Sequence, residues 1–126
     1  MCIRDRDVGD EPLLLARHAP VWVSAGRDDG ARAARSHGAS VIVMDDGHQN
    51  PQLEKTLSLL VVDAEVGFGN GCVFPAGPLR EKLGPSLERA DAVILMKPSP
   101  DYDIDDVLAL QLKGKVVIPA LSLIHI

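Results

Sequence analysis

The chain has 126 residues, enough for one small α/β domain, and carries a net charge of −5, which argues against sequence-independent binding of nucleic acid. Hydrophobic residues make up 46% and aromatics only 3%, so the core must be built from aliphatic side chains. No apolar run approaches the ~20 residues that span a bilayer, no signal-peptide pattern is present, and Cys2 and Cys72 are too few for a disulfide framework or a zinc site.

Asp10 is a good helix N-cap, Glu11 and Pro12 suit a first turn, and Arg17-His18 suit a last one, so a short helix is expected there. Pro20 to Ser24 is β-branched and aromatic and predicts a strand, with Trp22 packing in the core. Gly26 to Gly30 reads as a loop in which Arg27 is a solvated arginine by default, with a phosphate contact as the alternative. Ala31 to His37 reads as a helix with a stop at Gly38.

Val41-Ile42-Val43-Met44 is an apolar run ending in Asp45-Asp46-Gly47. Such a run predicts a buried strand of a parallel sheet, with two carboxylates at its carboxyl end, where open α/β sheets place their ligands. Two readings fit those residues. One is a Walker-B element whose acid helps hold the Mg2+ of a nucleotide. The other is a strand followed by an ordinary Asp-Asp-Gly turn.

Asn50-Pro51 marks a turn, and Gln52 to Thr56 one helical turn. Ser58 to Asp63 is a second buried strand ending in an acid. From Gly67 to Glu81 the chain carries four glycines and two prolines, which preclude regular structure and suggest a functional loop. Pro85 to Ala90 predicts a helix, Ala92 to Met96 a strand, Ile104 to Leu112 a helix, and Lys115 to Pro119 a last strand. Asp101, Asp103, Asp105 and Asp106 read as an N-cap and a first helical turn, not as a metal cluster. Cys72 reads as a loop filler. The alternation of strands and helices predicts a mostly parallel sheet with helices on both faces.

Gly-Asp-Glu-Pro at 9–12, Asp-Asp-Gly-x-Gln at 45–49 and Phe-Gly-Asn-Gly-x-x-x-Pro-Ala-Gly-Pro-Leu-Arg-Glu at 68–81 resemble the tetraacyldisaccharide 4′-kinase (lipid A 4′-kinase) family, in the family's order. Ala-Asp-Ala-Val-Ile at 90–94 also fits. The resemblance implies a P-loop kinase-like α/β fold. It implies transfer of the ATP γ-phosphate to the 4′-hydroxyl of tetraacyldisaccharide 1-phosphate in lipid A biosynthesis, at the cytoplasmic face of the bacterial inner membrane. ATP and Mg2+ are the implied cofactors, and the lipid A disaccharide precursor is the implied partner.

Residue by residue, the resemblance makes Asp10 the catalytic base on that hydroxyl. Asp45 and Asp46 become the ligands of Mg2+ and nucleotide. It puts Arg80 and Glu81 in the active-site cleft, Arg80 toward a phosphate and Glu81 toward metal or base positioning. Asn70 and Gln49 fall with the substrate-binding residues. The sequence departs from the family pattern at His48, where an apolar residue is usual, and at Asn50. His48 reads as a packing substitute for the aromatic in preference to a polar group near phosphate. The rival to the kinase reading is a nucleotide-binding P-loop-type regulator or another kinase domain.

One family feature is missing from this sequence: no Gly-x-x-x-x-Gly-Lys-[Ser/Thr] occurs in it. Moreover, residues 1–5 and 121–126 can be encoded by ATG TGT ATA AGA GAC and CTG TCT CTT ATA CAC ATC. These are reverse complements over most of their length and resemble a transposon end used as a sequencing-library adapter. Residues 6–120 are therefore expected to be an internal, incomplete part of a kinase-like domain. The P-loop, an N-terminal membrane anchor and a C-terminal histidine would lie outside it, and the 126-residue chain itself is expected to be inactive.

Overall fold

A strand exists only where its main-chain groups meet a partner, and the two halves of this chain differ on that point. The computed structural model describes residues 11–122, so Asp10 and both outermost tails lie outside the described residues. The chain divides into two compact units, one running to Glu54 and the other starting at Lys55.

The first unit holds two helices, α1 (Glu11–Leu15) and α2 (Arg27–Ser36), and no strand among its described residues. α1 closes through a turn in which the Ala16 and Ala19 amides donate to Pro12 and Leu15. α2 begins four residues earlier than its alanine-rich stretch predicts. The reason is local charge: Asp28 and Asp29 fill its first turn, where carboxylates favour the helix dipole, and Arg32 binds both at 2.9 and 2.6 Å. Those pairs overcome the glycines that made 26–30 look like a loop. The helix ends at His37, whose ring Nδ1 lies 2.8 Å from the Ala33 carbonyl and whose face is tilted 54° to the Trp22 ring.

Pro20 to Ser24 and Val41 to Met44, both expected as strands, join no ladder among the described residues. Val41 is 76% exposed and Val43 89%. Gln52 to Thr56 forms bends, not a helical turn.

The second unit contains β1 (Leu59–Asp63), α3 (Leu83–Arg89), β2 (Ala92–Lys97), α4 (Asp106–Gln111) and β3 (Val116–Leu121). The sheet is parallel in the order β1-β2-β3, with Leu60 opposite Val93, and Val93 opposite Val117. Parallel neighbours need crossovers, and the two helices supply them. α4 starts on Asp105, whose carboxylate accepts the Leu108 amide at 2.6 Å, so the acidic run is a cap and first turn as expected. Asp91 ties the entry of β2 to that of β1 by accepting the Ser58 amide at 2.7 Å.

Alternation on the strands decides what is covered. Leu60, Val62, Val93 and Leu95 share one face with Leu83 and Leu87 of α3, Leu108 of α4 and the adjacent Leu112 in a single core, which Phe68 of the long loop also enters. Val93 is fully buried, worth about 1.5–3 kcal/mol over an exposed position. Both helices of this unit thus serve that face. Leu59, Val61, Val116 and Ile118, pointing the other way, are 40–63% exposed. The α/β class and the parallel sheet stand as expected, with a second helical layer not present among the described residues. Leu121 and Ser122, assigned to adapter sequence on coding grounds, continue the ladder beside Lys97.

Candidate functional site

Two polar constellations can be built from the residues upward, one in each unit. In the first, the apolar run ends in a turn at Asp45-Asp46. Asp46 adopts φ 50°, in the left-handed region. Aspartate enters that region more readily than most side chains, yet a non-glycine residue there still has to be held. Two features hold it. Gly47 is buried, and a Cβ there would lie 2.8 Å from the Met44 Cβ, so only glycine lets the chain fold back on Met44. In addition, the Arg27 guanidinium donates to the Asp45 carbonyl at 2.8 Å and the Asp46 carbonyl at 3.3 Å. Beyond the turn, the Asn50 amide donates to the Gly47 carbonyl, and the Asn50 side-chain oxygen accepts the Gln52 amide at 2.9 Å. Gln49 is exposed and His48 half-buried on this turn.

The donor set fits Mg2+ bound together with a nucleotide. Asp45 and Asp46 are exposed and offer hard carboxylate oxygens. Among the described residues no cluster of three or more acids, histidines or cysteines could hold a metal alone. Mg2+ commonly takes one or two carboxylates and completes its shell with water and phosphate oxygens, and a two-acid turn matches that use.

The second constellation is the long loop. Asn70 is its clasp: its amide nitrogen donates to the Ala76 carbonyl at 2.8 Å, and its oxygen accepts the Cys72 amide at 3.0 Å. Gly77 passes so near that a Cβ would collide with the Asn70 oxygen and with Cys72. An isolated bridge between Val73 and Leu79 and a cis peptide between Phe74 and Pro75 complete the loop. Its ordered shape therefore comes from internal bonds, with Phe68 anchoring one end in the core.

Arg80 lies exposed where the loop leaves for α3, followed by half-buried Glu81. The Glu81 carboxylate pairs with Arg89 in the last turn of α3 at 2.5 Å, and Arg89 also donates to the Pro85 carbonyl. The hydrogen bond that Arg89 donates to Glu81, then the charge of Glu81, raise the Arg89 guanidinium above its ordinary value. Glu81 thus sits paired with a cation.

Of the residues singled out from sequence, the structure brings Asp45, Asp46 and Gln49 onto one turn, and Asn70, Arg80 and Glu81 onto one loop. Asp10 lies outside the described residues. Two contacts escaped sequence reading. Arg27 lies eighteen residues from Asp45, and the only hint was a basic residue opening an otherwise acidic first turn. Arg89 lies eight residues from Glu81, beyond any local pairing rule.

Fold and sites together define a parallel α/β protein with an acid-tipped turn and a clasped glycine loop. The chain matches the family model for tetraacyldisaccharide-1-P 4′-kinase over residues 3–121, and it belongs to that family. It is 62% identical over 91 residues to the tetraacyldisaccharide 4′-kinase of Gluconobacter oxydans (strain 621H), covering 72% of this chain and 28% of that protein. It is 57% identical over 107 residues to that of Caulobacter vibrioides (strain NA1000 / CB15N), covering 78% and 32%. Identity to the enzyme of Rhodopseudomonas palustris (strain HaA2) is 54% over 114 residues, covering 90% and 33%. The chain thus spans 28–33% of the length of these relatives. No solved structure matches it.

Proposed function

We propose that this chain is part of a kinase that transfers the γ-phosphate of ATP to the 4′-hydroxyl of tetraacyldisaccharide 1-phosphate in lipid A biosynthesis. The single observation that carries this reading is the family match across residues 3–121, which takes in the acid-tipped turn and the clasped loop alike. A general nucleotide-binding regulator accounts for the turn and leaves the loop unexplained.

In this reading Asp45 and Asp46 hold Mg2+, which when bound draws charge from the phosphates of ATP. Asp10 accepts the proton of the attacking 4′-hydroxyl, a role suited to a carboxylate within hydrogen-bond reach of that oxygen. Arg80 meets a phosphate oxygen, and its planar fork suits that partner. Glu81, paired with Arg89, assists metal or base positioning in the cleft. Asn70 acts through the loop it closes, and Gln49 contacts substrate from the turn. The β- and γ-phosphates also need the backbone cradle and lysine of a P-loop, and no Gly-x-x-x-x-Gly-Lys-[Ser/Thr] occurs in this sequence. The lipid substrate places the parent at the cytoplasmic face of the inner membrane.

The test is Asp10→Ala in the full-length protein. Loss of general-base catalysis lowers kcat by about 10²–10⁴-fold. Turnover near wild type would remove Asp10 from the mechanism.

A further inference from the structure

Arg27 is the first residue of α2, where a cation meets the positive end of the helix dipole. The next two residues are the acids that suit that position, and Arg32 neutralises both. The Arg27 guanidinium instead reaches across eighteen residues to the turn and donates to the Asp45 and Asp46 carbonyls. These bonds go to main-chain oxygens, so neither of them occupies a carboxylate. They act on the residue in the left-handed region, Asp46 at φ 50°. Gly47, where a Cβ would lie 2.8 Å from the Met44 Cβ, lets the turn fold closely onto Met44. A turn whose two adjacent carbonyls are bound by one guanidinium presents its two side chains in one fixed relation. A planar guanidinium with several fixed donors can serve two adjacent carbonyls at once, which a lysine ammonium does less well.

We infer that Arg27 is a positioning residue for the Mg2+ site: by clamping the carbonyls of Asp45 and Asp46 it sets the direction of the two carboxylates that take the metal. Groups that orient metal ligands commonly govern affinity as strongly as some ligands do. This rests on the reading of Asp45 and Asp46 as metal-nucleotide ligands, so the test separates the two claims.

The experiment measures binding of a non-hydrolysable ATP analogue to the full-length protein by calorimetry, across a Mg2+ titration and in EDTA. Arg27→Ala should raise the Mg2+ midpoint by roughly tenfold while leaving analogue binding in EDTA unchanged. Arg27→Lys, which keeps the charge and most of the stem, should give an intermediate midpoint. An unchanged midpoint in both variants overturns the inference. So does an equal loss of binding in EDTA, which would mean a direct phosphate contact. Loss of folding in both variants, read as loss of a cooperative melt, overturns it too, because the bonds would then hold the unit and not the turn. Asp46→Asn serves as the reference. If it also leaves the midpoint unmoved, the metal-site reading fails; if it moves the midpoint and Arg27 does not, only the positioning role fails.

Discussion

Two segments of this chain read almost alike and fold differently. Leu59-Leu60-Val61-Val62-Asp63 and Val41-Ile42-Val43-Met44-Asp45 are each a four-residue apolar run ending in an acid. The first is β1, paired along its length with β2, and Val62 is 4% exposed. The second joins no ladder among the described residues, and Val43 is 89% exposed. The difference lies in what stands beside them. An apolar run is a demand for neighbours, and β1 meets that demand within its own unit through β2 and the helices above it. Nothing in the run itself says where its neighbours come from.

That contrast can be broken by experiment. The largest effect is expected at the covered face: Leu95→Ala in β2 should lower stability by about 2–5 kcal/mol, read from urea unfolding. In the same 126-residue chain Val43→Ala should cost less than about 0.5 kcal/mol, as an exposed substitution does. If Val43 lies in a paired strand in the full-length protein, the same change there should cost clearly more. Equal, small effects in both settings would show that the run never becomes a strand.

Next comes the clasp of the long loop. Gly77→Ala drives a methyl group into Asn70 and Cys72 and should cost about 1–3 kcal/mol by overpacking, again measured by urea unfolding. A neutral result would mean that the loop opens without consequence. A smaller effect is expected at the cap of α4, where Asp105→Ala removes the acceptor for the Leu108 amide and should cost about 1 kcal/mol. The smallest belongs to the surface of α2. The hydrogen bond from Arg32, followed by its charge, lowers the Asp28 carboxyl below its ordinary 3.8. A carboxyl lower in the folded than in the unfolded chain contributes stability that is present above its unfolded value and lost as pH falls through its folded one. NMR titration of Asp28 should therefore show a midpoint below 3.8 that moves back up in Arg32→Ala.

Legibility in the sequence follows the same line. Strands and helices of the second unit were readable because pattern and partners lie close together: β1, α3, β2, α4 and β3 each follow their apolar periodicity to within a few residues. The cap at Asp105 was readable because it acts three residues away. α2 was read too short, since two glycines outweighed the Asp28–Arg32 and Asp29–Arg32 pairs. Of the candidate site, the acid-tipped turn and the glycine loop stood out as motifs. What each side chain touches did not. The bonds from Arg27 to the turn and from Arg89 to Glu81 join residues that only the folded chain brings together. Asn70, grouped with substrate binding by resemblance, turns both ends of its amide toward its own loop.

The most direct test of the central claim is phosphate transfer itself. The full-length protein, supplied with ATP labelled at the γ-position, Mg2+ and tetraacyldisaccharide 1-phosphate, should yield labelled 4′-phosphorylated product. Asp46→Asn should abolish most of that product, and the isolated 126-residue chain should form none. Label transfer by the full-length protein that is untouched by Asp46→Asn, or no transfer to the disaccharide at all, would contradict the account.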